Sequence, residues 1–588
     1  MLSPKYFLYL ATGAGLQPRI EMSSNPRVDA FYLNQLGYQE MQILRPPQPI
    51  WIVEILLRNL QTNANILFPA KFLKLASSLL QEYLPHLKYT MQRHTIHELR
   101  FPEFDPPELE KLFWGRLLLG TEVPELLRVN GIELPWDAED WLQYQYLQST
   151  LERTAAVSID ILGIPFCRRC GESKAIMEDN CMFCGSRHCL TCTNCQTMGL
   201  AKSCIPLYFQ SFPPSSTASE TLKPPKTPIQ PQLDFELTPP QKRAAAAIVD
   251  FLASEQRQFL VWAACGAGKT EVSYGAIAKT LSENAKVLFA IPRKDVVVEL
   301  LPRIQHAFPE IEIVALYGGG GERFQDAPLT LATTHQCLRF YQSFDLVILD
   351  EADAYPYDGS AMLHYAVNRA LRPGGHMIIM TATPGKSLIQ KTRSGTLPYV
   401  SIPARYHRKP LIVPQISKLK TRSGTNPISS WAPPALIQQF LLGCHQDSRR
   451  ALIFLPTLKS IAEYGSALIK WAVARDIPGA IIHSKTAAHE DAKSNLLQNK
   501  LCFLVTSTIL ERGITIPNLD VLVLEADNEK VFDSQTLIQI AGRVGRLGET
   551  GRVIFVAEHP SYSMKEALKI IRDMNREGFE LGYLDSQE

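Results

Sequence analysis

Apolar and polar positions follow two regimes along this chain. Up to about residue 160 they give isolated patterns. The apolar run at 5–11 turns polar and Gly-rich too soon for a signal peptide and predicts a strand, and 50–60 and 70–84 show helical spacing. From Leu237 onward short apolar runs alternate with helical stretches, as strands joined by crossover helices in a parallel sheet require. The expected strands are 258–262, 286–291, 329–333, 346–349 and 377–380. After a break at 395–414 rich in Pro, Arg and Lys come 451–455, 481–483, 503–506, 521–524 and 553–556. The predicted fold class is α/β, with one parallel-sheet lobe over 237–400 and a second over 411–588.

Ahead of the lobes, composition separates three further units. Residues 1–160 read as a folded accessory domain without recognisable chemistry, and 161–210 hold eight of the twelve cysteines. Residues 211–236, rich in Pro, Ser and Thr, read as a semi-rigid tether. At 588 residues the chain exceeds one core, and 46% apolar with 20% charged residues indicates a globular protein. No apolar run approaches the ~18 residues of a membrane span, so no transmembrane segment is expected. The formal charge of +2 provides no global field, so a polyanion would have to be held by local basic surface. A cytoplasmic protein is expected, whose clustered cysteines serve metal rather than disulfides.

The run 258–262 feeds into Ala263-Ala264-Cys265-Gly266-Ala267-Gly268-Lys269-Thr270, and a helix-compatible stretch follows. Its glycines let the backbone curl N–H groups toward phosphate oxygens, Lys269 reaches the β- and γ-phosphates, and the Thr270 hydroxyl ligates Mg²⁺. The predicted nucleotide site is thus Gly266, Ala267, Gly268, Lys269 and Thr270. The strand at 346–349 delivers Asp350-Glu351-Ala352-Asp353 to the carboxyl edge that carries this loop. Asp350 there holds Mg²⁺ and Glu351 deprotonates the attacking water, so ATP hydrolysis is the expected reaction. Arg543 and Arg546, three apart and so on one face of a helix, are candidate fingers for the γ-phosphate across a cleft.

In order and together these motifs resemble a superfamily 2 helicase core over about 237–558, which implies two RecA-like lobes. The resemblance assigns Gln241, in Leu237-Thr238-Pro239-Pro240-Gln241, to the adenine. It assigns Thr381, Thr383 and Gln539 to coupling of nucleotide state to lobe position, and Arg293, Thr334, Thr508 and Arg512 to nucleic acid. Tyr406-His407-Arg408-Lys409 fits a nucleic-acid contact and a hinge surface equally.

Cys167-x-x-Cys170 and Cys181-x-x-Cys184 have metal-ligand spacing, and Cys189, Cys192, Cys195 and Cys204 supply a second set. Eight thiolates permit one or two Zn²⁺, paired sequentially or interleaved, and a filled four-thiolate site leaves no open position for catalysis. This module ahead of a helicase core is similar to the ComFA family of late competence proteins, as are Thr333-Thr334-His335-Gln336 and the acidic motif running into Tyr355-Pro356-Tyr357. That family implies an ATP-driven single-stranded DNA translocase that takes up transforming DNA. It implies work at the inner face of the membrane, beside a DNA channel and a phosphoribosyltransferase-like competence partner. Two rival readings stand beside it. In a primosomal restart helicase the zinc module interrupts the core, whereas this cluster lies wholly upstream of Lys269. A non-catalytic zinc DNA-binding scaffold is opposed by intact Lys269, Glu351 and Arg546.

Overall fold

The computed structural model describes residues 4–61, 72, 74–78, 88–99, 109–135, 137–212, 228–320, 323–419, 433–483, 489–508 and 515–585. The apolar run at 5–11 forms β1 (Tyr6–Thr12), which joins β2 (Arg19–Ser23), β3 (Glu40–Gln48) and β4 (Thr90–Thr95) in an antiparallel sheet of order β2-β1-β3-β4. The helical pattern at 50–60 forms the helix Ile50–Gln61. Of the pattern at 70–84, residues 72 and 74–78 are helical and the rest lies outside the described residues.

A small antiparallel sheet of order β5-β11-β6 combines β5 (Arg116–Leu119) and β6 (Glu152–Ala155) with β11 (Pro206–Gln210). Between β6 and β11 the chain makes two antiparallel pairs, β7 (Val157–Ile159) with β8 (Pro165–Cys167) and β9 (Ile176–Asp179) with β10 (Cys189–Cys192). The cysteine segment is therefore an excursion tied at both ends to one sheet.

The first lobe is a seven-stranded parallel sheet of order β14-β15-β13-β16-β17-β12-β18. Its strands are β12 (Gln258–Ala263), β13 (Val287–Ile291), β14 (Ile313–Leu316), β15 (Leu329–Thr333), β16 (Phe344–Leu349), β17 (Leu371–Thr381) and β18 (Tyr399–Ile402). The second is a six-stranded parallel sheet of order β19-β24-β23-β20-β22-β21. It comprises β19 (Gln415–Lys418), β20 (Arg450–Phe454), β21 (Gly479–Ile482), β22 (Phe503–Thr506), β23 (Leu519–Val523) and β24 (Val553–Ala557). All ten strands expected from the apolar runs are present. The unexpected ones, β14, β18 and β19, are edge strands. β18 (Tyr-Val-Ser-Ile) and β19 (Gln-Ile-Ser-Lys) carry polar positions, as strands paired on one side only can, whereas β14 (Ile-Val-Ala-Leu) is apolar throughout. β18 also lies inside the Pro-rich break, between Pro398 and Pro403.

A parallel sheet must be covered on both faces. Phe259, Val261, Phe289 and Ile291 pack on the helices Pro239–Phe251, Tyr274–Ser282 and Lys294–Ala307. The alternate residues Leu260, Leu288 and Ala290 belong to a second buried cluster, which also contains all eight clustered cysteines and Leu117, Leu119 and Leu207 of the small sheet. Composition places the cysteine segment and the first lobe on either side of a tether; in the fold they share a core. Arg369, on the helix Ala361–Ala370, pins the junction. Its guanidinium donates to the carbonyls of Leu338 (2.9 Å) and Phe340 (3.1 Å) in the lobe, and to those of Arg168 (3.1 Å) and Arg169 between the first two cysteines.

Candidate functional site

β12 ends at Ala263 and the chain turns through 264–268 into a helix that starts at Lys269. Gly268 holds φ +72°, a left-handed conformation that favours glycine, and its missing Cβ leaves room for Gln241 Nε2, which would lie 2.3 Å from such an atom. Gln241 is a strut for the loop. Its Nε2 donates to the Ala267 carbonyl at 2.9 Å, and its Oε1 accepts from the Thr238 N–H at 2.8 Å, closing the cap of its own helix.

Lys269 Nζ stands 3.9 Å from Asp350 Oδ1, at the end of β16. Burial pushes the ammonium pKa down, but Asp350, Asp353 and Glu351 outweigh it and hold the pKa above its ordinary value. Burial raises the Asp350 carboxyl to about 6, with Glu351 adding to the rise and Lys269 opposing it. A carboxylate so placed gains from any further cation in the cleft. Glu351 sits at φ +52°, a left-handed conformation uncommon for a non-glycine residue.

The opposite wall comes from the second lobe. The helix Ser534–Ala541 ends at Gly542, and Arg543 and Arg546 lie in the turns beyond it rather than on a helix face as expected. Glycines at 542 and 545 offer no side chain that favours helix continuation, so the helix stops before the first arginine. Lys269, Thr270, Asp350 and Glu351 then face Arg543 and Arg546 across one cleft of about 710 Å³, floored by Gly266, Ala267 and Gly268.

The three coupling residues meet at Asp353, the last of the acidic tetrad. Thr381 Oγ1 donates to Asp353 Oδ1 at 2.7 Å, and Thr383 Oγ1 donates to Oδ2 at 2.5 Å. From the second lobe Gln539 Nε2 donates to the same Oδ2 at 3.0 Å. Gln535 adds a bond from its Nε2 to the Thr383 carbonyl at 3.0 Å.

Of the four residues assigned to nucleic acid, Arg293 and Thr334 follow the neighbouring strands β13 and β15 at one sheet edge, where the Thr334 N–H donates to the Ile291 carbonyl at 3.0 Å. Arg293 forks onto Asp295 at 2.9 and 3.1 Å. The Thr334 side chain is fully buried, and its hydroxyl has no partner among the described residues. Thr508 is half-buried just beyond β22 in the other lobe. Arg512 lies outside the described residues.

The cysteines pair in the interleaved way. Cys167, Cys170, Cys192 and Cys195 form one buried cluster, and Cys181, Cys184, Cys189 and Cys204 the other, the sulfurs of each within 4.8 Å of one another. β10 carries Cys189 at one end and Cys192 at the other, so a single strand feeds both clusters. The sulfur separations are 3.6 Å (Cys170–Cys192) and 3.8 Å (Cys167–Cys195, Cys192–Cys195 and Cys181–Cys204). Disulfides are far shorter. Four sulfurs ~2.3 Å from a central Zn²⁺ would stand about 3.8 Å apart, so both cages fit that ion.

Residues 103–209 match the competence protein ComFA N-terminal domain, 234–386 the type III restriction enzyme res subunit, and 432–548 the helicase conserved C-terminal domain. Competence protein ComFA of Bacillus subtilis is 35% identical over 414 residues, covering 70% of this chain and 85% of that one. Its counterpart in Streptococcus pneumoniae is 34% identical over 419 residues, covering 70% and 90%. A solved structure of RecG bound to a three-way DNA junction aligns with 62% of this chain and 50% of that chain, at 20% identity and a TM-score of 0.42. Among the described residues no helix is long and apolar enough to cross a membrane. With a helicase-type core behind a ComFA-type cysteine domain, and relatives that match along most of their length, the chain belongs to the ComFA family of competence proteins.

Proposed function

We propose that this protein hydrolyses ATP to move along single-stranded DNA and so draws transforming DNA into the cytoplasm. The observation that carries this reading is one cleft with a lysine and acids on one lobe and two arginines on the other. Backbone N–H groups of 266–268 and the Lys269 ammonium hold the phosphates, while Gln241 braces the loop and borders the adenine. Mg²⁺ held by Thr270 and Asp350 would neutralise charge on the β- and γ-oxygens. Glu351 takes the proton of the attacking water, and Arg543 and Arg546 neutralise charge that develops on the γ-phosphoryl group.

Closure forms the Gln539–Asp353 bond, and loss of the γ-phosphate weakens the attraction of the two arginines to the first lobe. Thr381 and Thr383 hold Asp353 in place for that exchange. Arg293 on one lobe, and Thr508 and Arg512 on the other, grip the DNA backbone in alternation, while Thr334, buried with its N–H bonded to the Ile291 carbonyl, lies beneath that contact surface; such binding is sequence-tolerant and salt-sensitive. Each cysteine cage holds one structural Zn²⁺. The protein works at the inner face of the membrane, beside a DNA channel and a phosphoribosyltransferase-like partner.

The test is ATP hydrolysis with and without single-stranded DNA, run beside unwinding of a forked duplex. Stimulation by single strands is expected, and Lys269→Ala should abolish turnover with the fold intact. Full activity in that variant overturns the ATPase assignment, turnover indifferent to DNA overturns the translocase, and DNA binding without turnover favours the scaffold.

A further inference from the structure

β18 ends at Ile402, and the chain crosses to the second lobe through 403–414. Arg405, only 2% exposed, lies inside this crossing. Its Nε donates to the Cys265 carbonyl of the phosphate loop at 2.8 Å. Its Nη1 donates to the Val544 carbonyl and its Nη2 to the Gly542 carbonyl, each at 2.8 Å. These two carbonyls flank Arg543. Farther along, His407 Nε2 meets the Gly545 carbonyl at 3.0 Å, and Lys409 Nζ donates to that of Gly548. The segment that fitted a nucleic-acid contact or a hinge surface thus turns two of its polar side chains onto the arginine-bearing turn.

We propose that Arg405 is a positioning residue for ATP hydrolysis, setting the distance between the phosphate loop and the turn that carries Arg543 and Arg546. The proposal rests on the reading of the cleft as the ATP site. A planar guanidinium can serve three carbonyls in fixed directions, which a flexible point charge such as lysine cannot. Removing the cation also leaves buried carbonyls without donors on both lobes, so each loop loses its register with the other. His407 and Lys409 hold the far end of the same turn, which leaves it little freedom to rotate the fingers away.

The experiment is steady-state ATP hydrolysis by the full chain carrying Arg405→Met or Arg405→Lys, alone and combined with Arg546→Ala. Both single variants should lose about ten- to a hundredfold in kcat with KM for ATP changed less than about threefold, since a misplacement near 1 Å has that effect. In the Arg546→Ala background, Arg405→Met should add less than about a threefold loss, because both act through one geometry. Unchanged kcat in the single variants, or fully multiplicative losses in the double variant, overturns the proposal. If Arg405→Met does not fold, His407→Ala and Lys409→Ala replace it, with kcat losses of about two- to fivefold expected; wild-type kcat in both is equally fatal. A wild-type chain without turnover sinks the ATPase reading itself, whereas normal turnover that ignores Arg405 sinks only the positioning role.

Discussion

The first lobe meets its two neighbours in opposite ways. Against the cysteine segment it shares a continuous apolar core in which strand residues, small-sheet leucines and eight cysteines pack together, with Arg369 inside the junction. Against the second lobe it relies on hydrogen bonds at Asp353, Thr383, Cys265 and Ser401. Among the described residues, only Cys265 and Ala382 of the first lobe join the second lobe's core cluster. Parting apolar surface costs about 25 cal/mol per Å² each time, whereas a hydrogen bond exchanged with water changes the free energy by only ~1 kcal/mol. The proposed function needs one boundary to stay shut and the other to open and close; on this contrast the cysteine segment would travel with the first lobe, and the cleft would be the moving joint.

The comparison breaks first if the shut boundary proves separable. Stripping metal, or Cys170→Ser with Cys192→Ser, should loosen the cages and expose the shared core, lowering stability by about 5 kcal/mol or more. Metal analysis and calorimetry should then show loss of Zn²⁺ together with early melting of the first lobe. An unaltered melting of that lobe would separate the two. Arg369→Met follows in size: it strips donors from four carbonyls and should lower stability by about 2–4 kcal/mol in urea titrations, with KM for ATP within about twofold of wild type.

At the moving joint the balance should invert. A Cβ at Gly542 would lie 2.5 Å from Cys265 Cβ, so Gly542→Ala should prop the cleft open. Its kcat should fall by about a hundredfold while stability moves by less than ~1 kcal/mol. Gln539→Ala removes two bonds across the cleft, to Asp353 Oδ2 (3.0 Å) and from Cys265 Sγ (3.3 Å), and should lower kcat about tenfold, read in the same assay. Large stability losses in these two variants would erase the distinction between the boundaries.

The chemistry of the cleft was legible wherever a role is compressed into consecutive residues, as in the phosphate loop and the acidic tetrad. Interior strands were legible because both of their faces are apolar; β18 and β19 were not, because they carry polar positions and the Pro-rich break hid the first of them, whereas the apolar β14 has no such explanation. The partition of the cysteines was hidden for another reason. Spacing records distance along the chain, whereas the β9–β10 pairing decides which sulfurs meet. Asp353 lies in the tetrad but its bonds to Thr381, Thr383 and Gln539 are set by the fold, and Arg369 and Arg405 belong to no pattern of their own. A lone arginine reads as surface charge until the fold supplies the carbonyls that face it.

Hydrogen exchange of the full chain, with and without Mg²⁺ and a non-hydrolysable ATP analogue, tests the central claim most directly. Protection should rise together at 266–270 and 542–546, on the two walls of the cleft, while exchange across 167–204 stays unchanged. Protection confined to 266–270 would contradict the account, because the nucleotide would then be held by one lobe alone.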